Sequence, residues 1–366
     1  MTKTWIMGYK FIIMGVFTLF VSSFRFLPII TNNIHKEKQL NVRELILDHM
    51  KDSYSWHIAP LGTKYVSIPL PIIVKGQADG WHLFSSSRFC RGNKSYKGFS
   101  IAQVGNYKDK IVETLPSGVK VRPWDFSLTK NAVSLILSSI TLISLILFCS
   151  CWYKKRNGKP EKISPKGFIS FIELIIMDII NHIIKPCIGK NYKRYTSYLL
   201  AVFFFILINN LLGLIPVFPG GANVTGNVTV ACVLAVFTFV FVNIFGTKKY
   251  WKEIFWPNVP LWLKIPIPII PAIEIIGIFT KPFALMIRLL ANIMAGHAMI
   301  LGLTCIIFLT TTLGVVVNMS MTVLSVIMTL FINCVELLVA YIQAYVFTML
   351  SAVFIGLSQI ESHCKK

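Results

Sequence analysis

Apolar runs of about the length of a membrane span recur along the chain. They cover residues 11–30, 131–152, 195–216 and 227–245, and a longer run extends from 282 to 360. A helix needs about 20 consecutive apolar residues to cross the roughly 30 Å hydrocarbon core of a bilayer. The pattern therefore predicts an all-α polytopic membrane protein with about five to six membrane helices. The first run fits a cleaved signal peptide and a first membrane helix equally well, since basic residues precede it and no clear cleavage site follows.

The last apolar run is too long to stand upright in a bilayer. Prolines break the chain between 257 and 271, Pro282 is the last proline, and nothing stops a helix from Gly314 to Gly356. At about 1.5 Å per residue this stretch would be roughly 64 Å long, twice the hydrocarbon thickness. We therefore expect the two final segments to form a strongly tilted or kinked helical hairpin.

Residues 31–128 have a different pattern. Helical apolar spacing at 42–50 is followed by short alternating runs that are bounded by Gly, Asn and Asp. Such runs are typical of strands joined by turns. The pattern predicts a small β-rich domain outside the bilayer, with strands at 64–74, 80–89, 98–104 and 119–121.

The charge distribution predicts which loops share a side of the membrane. The chain has 36 Lys and Arg residues against 15 Asp and Glu, a net charge of +21. In a soluble protein this excess would suggest nucleic acid, but a mean hydropathy of +0.67 argues for basic loops at a membrane, and we predict no nucleic-acid partner. Because Lys and Arg concentrate in cytoplasmic loops, 153–166, 248–252 and both termini are predicted to be cytoplasmic, with 31–128 on the opposite side.

Residues 167–184 are too polar to span a membrane. Glu173 and Asp178 are set among apolar residues, which is typical of a helix that lies in the membrane interface or packs on a partner. The two carboxylates form either a solvated face or part of a proton path.

From Pro282 to Ile360 the only side chains that can carry a charge near neutral pH are Arg288, His297 and Glu336. An arginine at membrane depth costs about 2.5 kcal/mol or more, so Arg288 is a functional candidate. On a helix Asn292 shares its face, whereas His297 is turned about 180° away. The alternative is a snorkelling arginine with a buried, hydrogen-bonded histidine. Small residues that would let another helix approach surround this stretch: Ala284, Ala291, Ala295, Gly296 and Ala298.

A second polar face is predicted in the last segment. Glu336 and Gln343 are seven residues apart and therefore share a helix face, near which Asn333 and Ala340 also lie. The face suits proton relay, and the alternative is a structural ion pair between Glu336 and Arg288. In the earlier run at 195–216, Asn209 and Asn210 would line an aqueous path or hydrogen-bond a neighbouring helix.

These motifs resemble a known family. Residues 281–297 read KPFALMIRLLANIMAGH, 336–347 read ELLVAYIQAYVF, and 204–216 read FFILINNLLGLIP. Over about residues 165–360 the chain resembles subunit a of the F-type ATP synthase. Residues 129–366 would then be the membrane domain, preceded by 1–30 and by an extracytoplasmic domain at 31–128 that the resemblance does not cover. An extension of this length is similar to that of the extended bacterial versions from Bacteroidota-like organisms.

The resemblance implies a function for the site residues. Arg288 would face the carboxylates of the rotating c-ring, while His297, Glu336, Gln343, Asn292 and Glu274 would line two proton half-channels, with Glu274 on the cytoplasmic side. In the common bacterial type the acid and the imidazole at the positions of His297 and Glu336 are exchanged. The implied partners are the c-ring, b-type stator subunits, indirectly the catalytic head, and the lipid bilayer. The implied location is the bacterial inner membrane, or alternatively the mitochondrial one.

Motifs of other function classes are absent from the sequence. It has no Gly-x-x-x-x-Gly-Lys-Ser/Thr loop for ATP and no His-Glu-x-x-His motif of a membrane hydrolase. The internal repeat expected of a secondary transporter is also absent. The isolated histidines and the eight cysteines have no metal-ligand spacing, and we predict no cofactor or metal site. The chain is therefore expected to be a non-catalytic, proton-translocating subunit of an enzyme complex.

Overall fold

A computed structural model describes most of the chain. The described residues are 52–61, 64–77, 80–92, 94–103, 107–115, 118–156, 167–215, 224–255 and 269–359. Within them the chain divides into two compact units, one of residues 138–214 and 225–359 and one of residues 52–137 with 215 and 224. The predicted segments at 11–30 and 42–50 lie outside the described residues.

The smaller unit consists of short antiparallel strands. The strands are β1 (Ser55–Leu61), β2 (Lys64–Pro69), β3 (Pro71–Lys75), β4 (Trp81–Ser85), β5 (Phe99–Ile101), β6 (Ile111–Thr114), β7 (Lys120–Val121) and β8 (Trp124–Asp125). They form a two-stranded sheet β1–β2 and two three-stranded sheets with the orders β4–β3–β8 and β5–β6–β7. This confirms the prediction of a strand-rich region before the membrane helices.

The strands differ in detail from those predicted. The strand expected at 64–74 is two strands, β2 and β3, because the chain changes pairing partners at Leu70, between two prolines that lack a backbone donor. The strand expected at 80–89 ends at Ser85 and continues as a 3₁₀ helix, Ser86–Gly92. The sequence analysis missed β1, β6 and β8. A small core holds the sheets together: Tyr54, Ile72, Val74, Phe89, Phe99 and Ile111 are buried in it.

The rest of the described chain is helical. Four helical stretches are long and apolar enough to cross a membrane, Lys130–Lys155, Tyr192–Leu214, Ile275–Leu309 and Val315–Ser358, and Val228–Ile244 is a shorter apolar helix. The prediction of a polytopic membrane protein is therefore confirmed. The helices are α1 (Lys130–Arg156), α2 (Phe168–Asp178), α3 (Lys185–Ile188), α4 (Tyr192–Leu214), α5 (Val228–Ile244), α6 (Lys248–Phe255), α7 (Ile269–Leu309) and α8 (Val315–Ser358).

Local chemistry sets several of these boundaries. Asn227 caps α5, since its side-chain oxygen accepts a hydrogen bond from the Thr229 amide at 2.9 Å. Gly314 separates α7 and its 3₁₀ extension from α8, and its φ of 109° is one that a side chain would strain. Between α2 and α3 a π-helical turn, Ile179–Ile184, keeps the apolar side of this segment buried. Pro282 does not end α7, which runs through it.

The two last helices form a long antiparallel hairpin, as predicted. α7 has 41 residues and α8 has 44, so at about 1.5 Å per residue they are roughly 62 and 66 Å long. Three contacts establish the register along the hairpin. The Lys281 ammonium lies 5.6 Å from the centre of the Phe354 ring, Asn292 donates a hydrogen bond to Gln343, and Thr310 donates one to Asn318.

One end of the membrane unit gathers its basic segments. The Thr247 amide, just before α6, donates a hydrogen bond of 2.9 Å to the Ser358 carbonyl at the end of α8. The Arg194 guanidinium, near the start of α4, lies 4.8 Å from the ring centre of Phe245. The C-terminal end of α8 therefore lies beside the cluster 248–252, which is the arrangement that the basic loops predict.

Candidate functional site

A buried acid and an imidazole face each other across the hairpin. Glu336 on α8 is 5% exposed, and its Oε1 lies 3.7 Å from Nδ1 of His297 on α7. Gly296 makes this approach possible, because a Cβ at that position would lie 2.8 Å from the carboxyl carbon of Glu336. The site therefore combines a long acidic side chain on one helix with a glycine, which has no side chain, on the other.

The Glu336 carboxylate has no direct hydrogen bond within the described residues. The separation of 3.7 Å from His297 is too long for one. A buried polar group without a hydrogen bond is costly, and buried polar sites of this kind often hold water. Glu336 and His297 are thus within ion-pair distance, and a small shift of either side chain would bring them into a direct hydrogen bond.

A second polar contact between the two helices lies closer to the C-terminal end of α8. The Asn292 amide of α7 donates a hydrogen bond of 2.6 Å to Oε1 of Gln343 on α8. Gln343 is buried and shares a face of α8 with Glu336, as the spacing predicts. The hairpin therefore carries two neighbouring polar levels, Asn292 with Gln343 and His297 with Glu336.

Helix α4 adds two buried asparagines to this region. The Asn210 amide donates to the backbone carbonyl of Ala340, which lies between Glu336 and Gln343, at 3.2 Å. Asn209 donates to the Phe205 carbonyl of its own helix. The side-chain carbonyl oxygens of both asparagines accept no hydrogen bond from the described residues. Asn210 thus hydrogen-bonds a neighbouring helix, and both residues leave an acceptor free for water.

Arg288 lies on the face of α7 that is turned away from His297. Its side chain is exposed together with Ala284, Ala291 and Ala295, whereas Leu285 and Leu289 are buried against the other helices. Arg288 precedes His297 by nine residues, which is about 13 Å along the helix axis. The alternative of an ion pair between Arg288 and Glu336 is wrong, because the acidic group lies at the level of His297 instead.

A small cavity lies near the basic end of the unit, between α5, α6, α7 and α8. Its volume is about 20 Å³, and its polar lining consists of Thr238, Asn243, Tyr250 and Lys281. This volume is enough for one water molecule. The sequence analysis assigned no role to Asn243 or Tyr250, because only the folded chain brings them together with Lys281.

Two further predictions concern Glu274 and Asp178. The backbone of Glu274 belongs to α7, but its side chain lies outside the described part of the structure. Asp178 contacts His182 at 2.8 Å on an exposed surface, so this carboxylate belongs to a solvated face and not to the buried polar region. Among the described residues no group of His, Cys, Asp and Glu could hold a metal ion.

Comparison with known proteins identifies the family of this helical unit. The family described as ATP synthase A chain matches residues 136–356, which is more than half of the chain and includes every polar level of the hairpin. The chain belongs to the ATP synthase subunit a family. A domain of unknown function matches residues 45–126, the segment that forms the strand-rich unit.

Individual members of the subunit a family are similar over two thirds of the chain. The chain is 42% identical to ATP synthase subunit a 2 of Chlorobaculum tepidum over 253 residues, which cover 67% of this chain and 66% of that protein. It is 43% identical to ATP synthase subunit a of Chlorobium phaeobacteroides over 252 residues, or 67% and 69% of the two chains. The chain thus spans about two thirds of the length of these relatives. The predicted resemblance to subunit a is confirmed, and the family assignment agrees with a multi-pass membrane protein.

Proposed function

We propose that the chain is the stator ion-channel subunit of an F-type ATP synthase. It provides two proton half-channels and an arginine that faces the c-ring, so that proton flow is coupled to rotation and ATP synthesis. The observation that carries this proposal is the exposed Arg288, which lies on one face of α7 while His297 lies on the other, beside the buried Glu336. A fixed charge on one side of a helix and a proton-binding pocket on the other are the two components that such a stator needs.

The entry half-channel leads through His297 and Glu336. Both can bind and release a proton, and Asn209 and Asn210 of α4 add buried acceptors, with Asn210 in contact with α8 at Ala340. Water that bridges such buried acceptors provides a continuous hydrogen-bonded path. The Asn292–Gln343 contact marks the inner end of this path, one helical turn from Arg288.

Arg288 separates the two half-channels. The alanines beside it leave room for a helix of the rotor to approach closely, since small side chains bring helix backbones together. A positive charge near a rotor carboxylate favours its ionised form. The carboxylate therefore releases its proton when it reaches Arg288 and takes up a new one on the side of His297 and Glu336.

The exit half-channel reaches the cytoplasm at the basic end. The cavity beside Lys281 and Tyr250 supports a polar path there, and we also assign Glu274, fourteen residues before Arg288, to this side. Residues 129–366 form the membrane domain in this proposal. Residues 31–128 form an extracytoplasmic domain, and 1–30 is a signal peptide or first membrane helix.

The partners follow from this role. They are the c-ring, which passes Arg288, the b-type stator subunits and, indirectly, the catalytic head. The complex would lie in the bacterial inner membrane, a location that the bacterial relatives support.

The experiment that tests the proposal replaces Arg288 with Ala in the assembled complex. ATP-driven proton pumping into membrane vesicles, followed with a pH-sensitive fluorescent dye, should be abolished, because the charge that separates the half-channels is lost. Subunit content should remain normal, since the side chain is exposed and its removal leaves no cavity. Lys193→Ala, at an exposed lysine near the start of α4, is the matched control and should pump normally. Normal coupled pumping by assembled Arg288→Ala would refute the assignment.

A further inference from the structure

On one face of the sheet β4–β3–β8 the side chains are apolar and exposed. Trp81 and Leu83 of β4 and Trp124 and Phe126 at β8 flank Ile73 of the central strand. Lys75 of the central strand is paired with Trp81 on one side and Trp124 on the other. Ile73 is paired with Leu83 on one side, and on the other side its carbonyl accepts a hydrogen bond from the Phe126 amide. The rings of Trp81 and Phe126 are 5.6 Å apart across the central strand. We call these five apolar residues the aromatic face.

This face is not the core of the unit. The alternating residues Ile72 and Val74 point to the other side of the sheet, where they are buried with Phe89 and Phe99. An antiparallel sheet with one buried face normally presents polar residues on the other. Here Leu83 is 73% exposed, Trp124 71% and Trp81 61%. A contiguous exposed apolar surface of this kind marks an interaction site.

The aromatic face is continuous with a membrane span. Phe126 precedes Lys130, the first residue of α1, by four residues, which an extended chain covers in about 13 Å. The first turn of α1 is attached to the same unit, because the Lys130 amide donates to the Ser53 carbonyl at 2.9 Å and the Asn131 amide donates to the Asp52 carboxylate at 3.1 Å. The face is therefore close along the chain to the first turn of a helix that is long and apolar enough to cross a membrane.

The chemistry of the surface fits lipid headgroups. Trp side chains concentrate at membrane interfaces, where an apolar ring with a polar edge is favourable. Lys75, in the row between Trp81 and Trp124, contributes a positive charge. Basic groups beside an apolar surface strengthen binding to anionic lipid. Elsewhere on the described part of this unit the exposed side chains that carry a charge at neutral pH are also basic: Arg88, Lys94, Lys97, Lys108, Lys110, Lys120 and Arg122.

We propose that the aromatic face lies on the headgroup layer of the bilayer and anchors the strand-rich unit to the membrane surface beside α1. The partner is a lipid surface that contains anionic headgroups. This role is independent of proton translocation, because none of the residues involved belongs to the polar levels of the hairpin.

Spin labels on single cysteines test the proposal in the full chain, purified with the subunits that accompany it and placed in nanodiscs of phosphatidylglycerol and phosphatidylcholine. In a cysteine-free background, a label at Leu83→Cys should be accessible to oxygen, which concentrates in lipid, and protected from a water-soluble nickel complex. The matched control is Val119→Cys, another strongly exposed apolar position, which lies outside the aromatic face. Its label should show the opposite accessibility.

Two results would overturn the proposal. Strong accessibility of the Leu83 label to the nickel complex would show that the face is in water. Protection from both reagents would show that a protein subunit covers it. If Leu83→Cys reduces the yield of folded protein, Trp81→Cys on the same face provides the same measurement. In discs without phosphatidylglycerol the protection from the nickel complex should decrease, and an unchanged value would refute the electrostatic part of the proposal.

Discussion

Gly296 provides a sharp test of the acid–imidazole pocket. A methyl group there would lie 2.8 Å from the carboxyl carbon of Glu336, well inside van der Waals contact. The carboxylate of Glu336 must therefore leave its present position beside His297 in Gly296→Ala. Forcing extra atoms into a packed site costs about 1–3 kcal/mol. If that cost falls on the proton-transfer geometry, it corresponds to a roughly 5- to 150-fold lower rate.

The assay is ATP-driven proton pumping in vesicles, normalised to the amount of assembled complex. Gly302→Ala is the matched control, because Gly302 lies on the same helix and a Cβ there would have no neighbour within 4 Å. It should pump like the unmodified protein. A second variant separates the pocket from general helix packing: Glu336→Asp shortens the acid by one methylene and should restore part of the flux in the Gly296→Ala background. Equal pumping by the two glycine variants, or a loss that Glu336→Asp does not relieve, would refute the reasoning.

Three other predictions address the same pocket, the topology and the strand-rich unit. Exchanging the pair, His297→Glu with Glu336→His, should recover more proton flux than either single replacement, whereas simply additive losses would show two independent sites. Single cysteines at 153–156 and at Lys366 should react with a membrane-impermeant maleimide from the cytoplasmic side and cysteines at 94–97 from the other side, and labelling of all three from one side would contradict the topology. Burial, with a hydrogen bond and negative charge from Asp125, raises the pKa of Tyr54 above its ordinary value of 10.0. The neutral phenol is thus favoured in the folded state, so the free energy of unfolding of this unit should fall above about pH 10 as the unfolded state releases the proton. Tyr54→Phe should remove that alkaline decrease, as measured by hydrogen exchange of the strands, and an identical alkaline profile in the variant would show that Tyr54 is not its cause.

For the long helices, the pattern along the chain was sufficient for the properties that depend on one segment. Span length and the lack of helix-stopping residues predicted the long hairpin, and α8 extends over Val315–Ser358 as expected. Helical spacing placed Glu336 and Gln343 on one face and put Arg288 and His297 on opposite faces. These properties follow from 3.6 residues per turn and from the thickness of a bilayer, so no tertiary contact is needed to derive them.

The tertiary structure decided which faces meet. The sequence left Glu336 with two possible partners, Arg288 and His297, and the register of α7 against α8 selects His297. The same register makes Gly296 a site of close approach, although the residue is otherwise an ordinary small residue in a helix. In the strand-rich unit, the break at Leu70 and the aromatic face depend on which strands pair. Register and pairing arise from the summed packing of residues far apart in the chain, and therefore local periodicity cannot determine them.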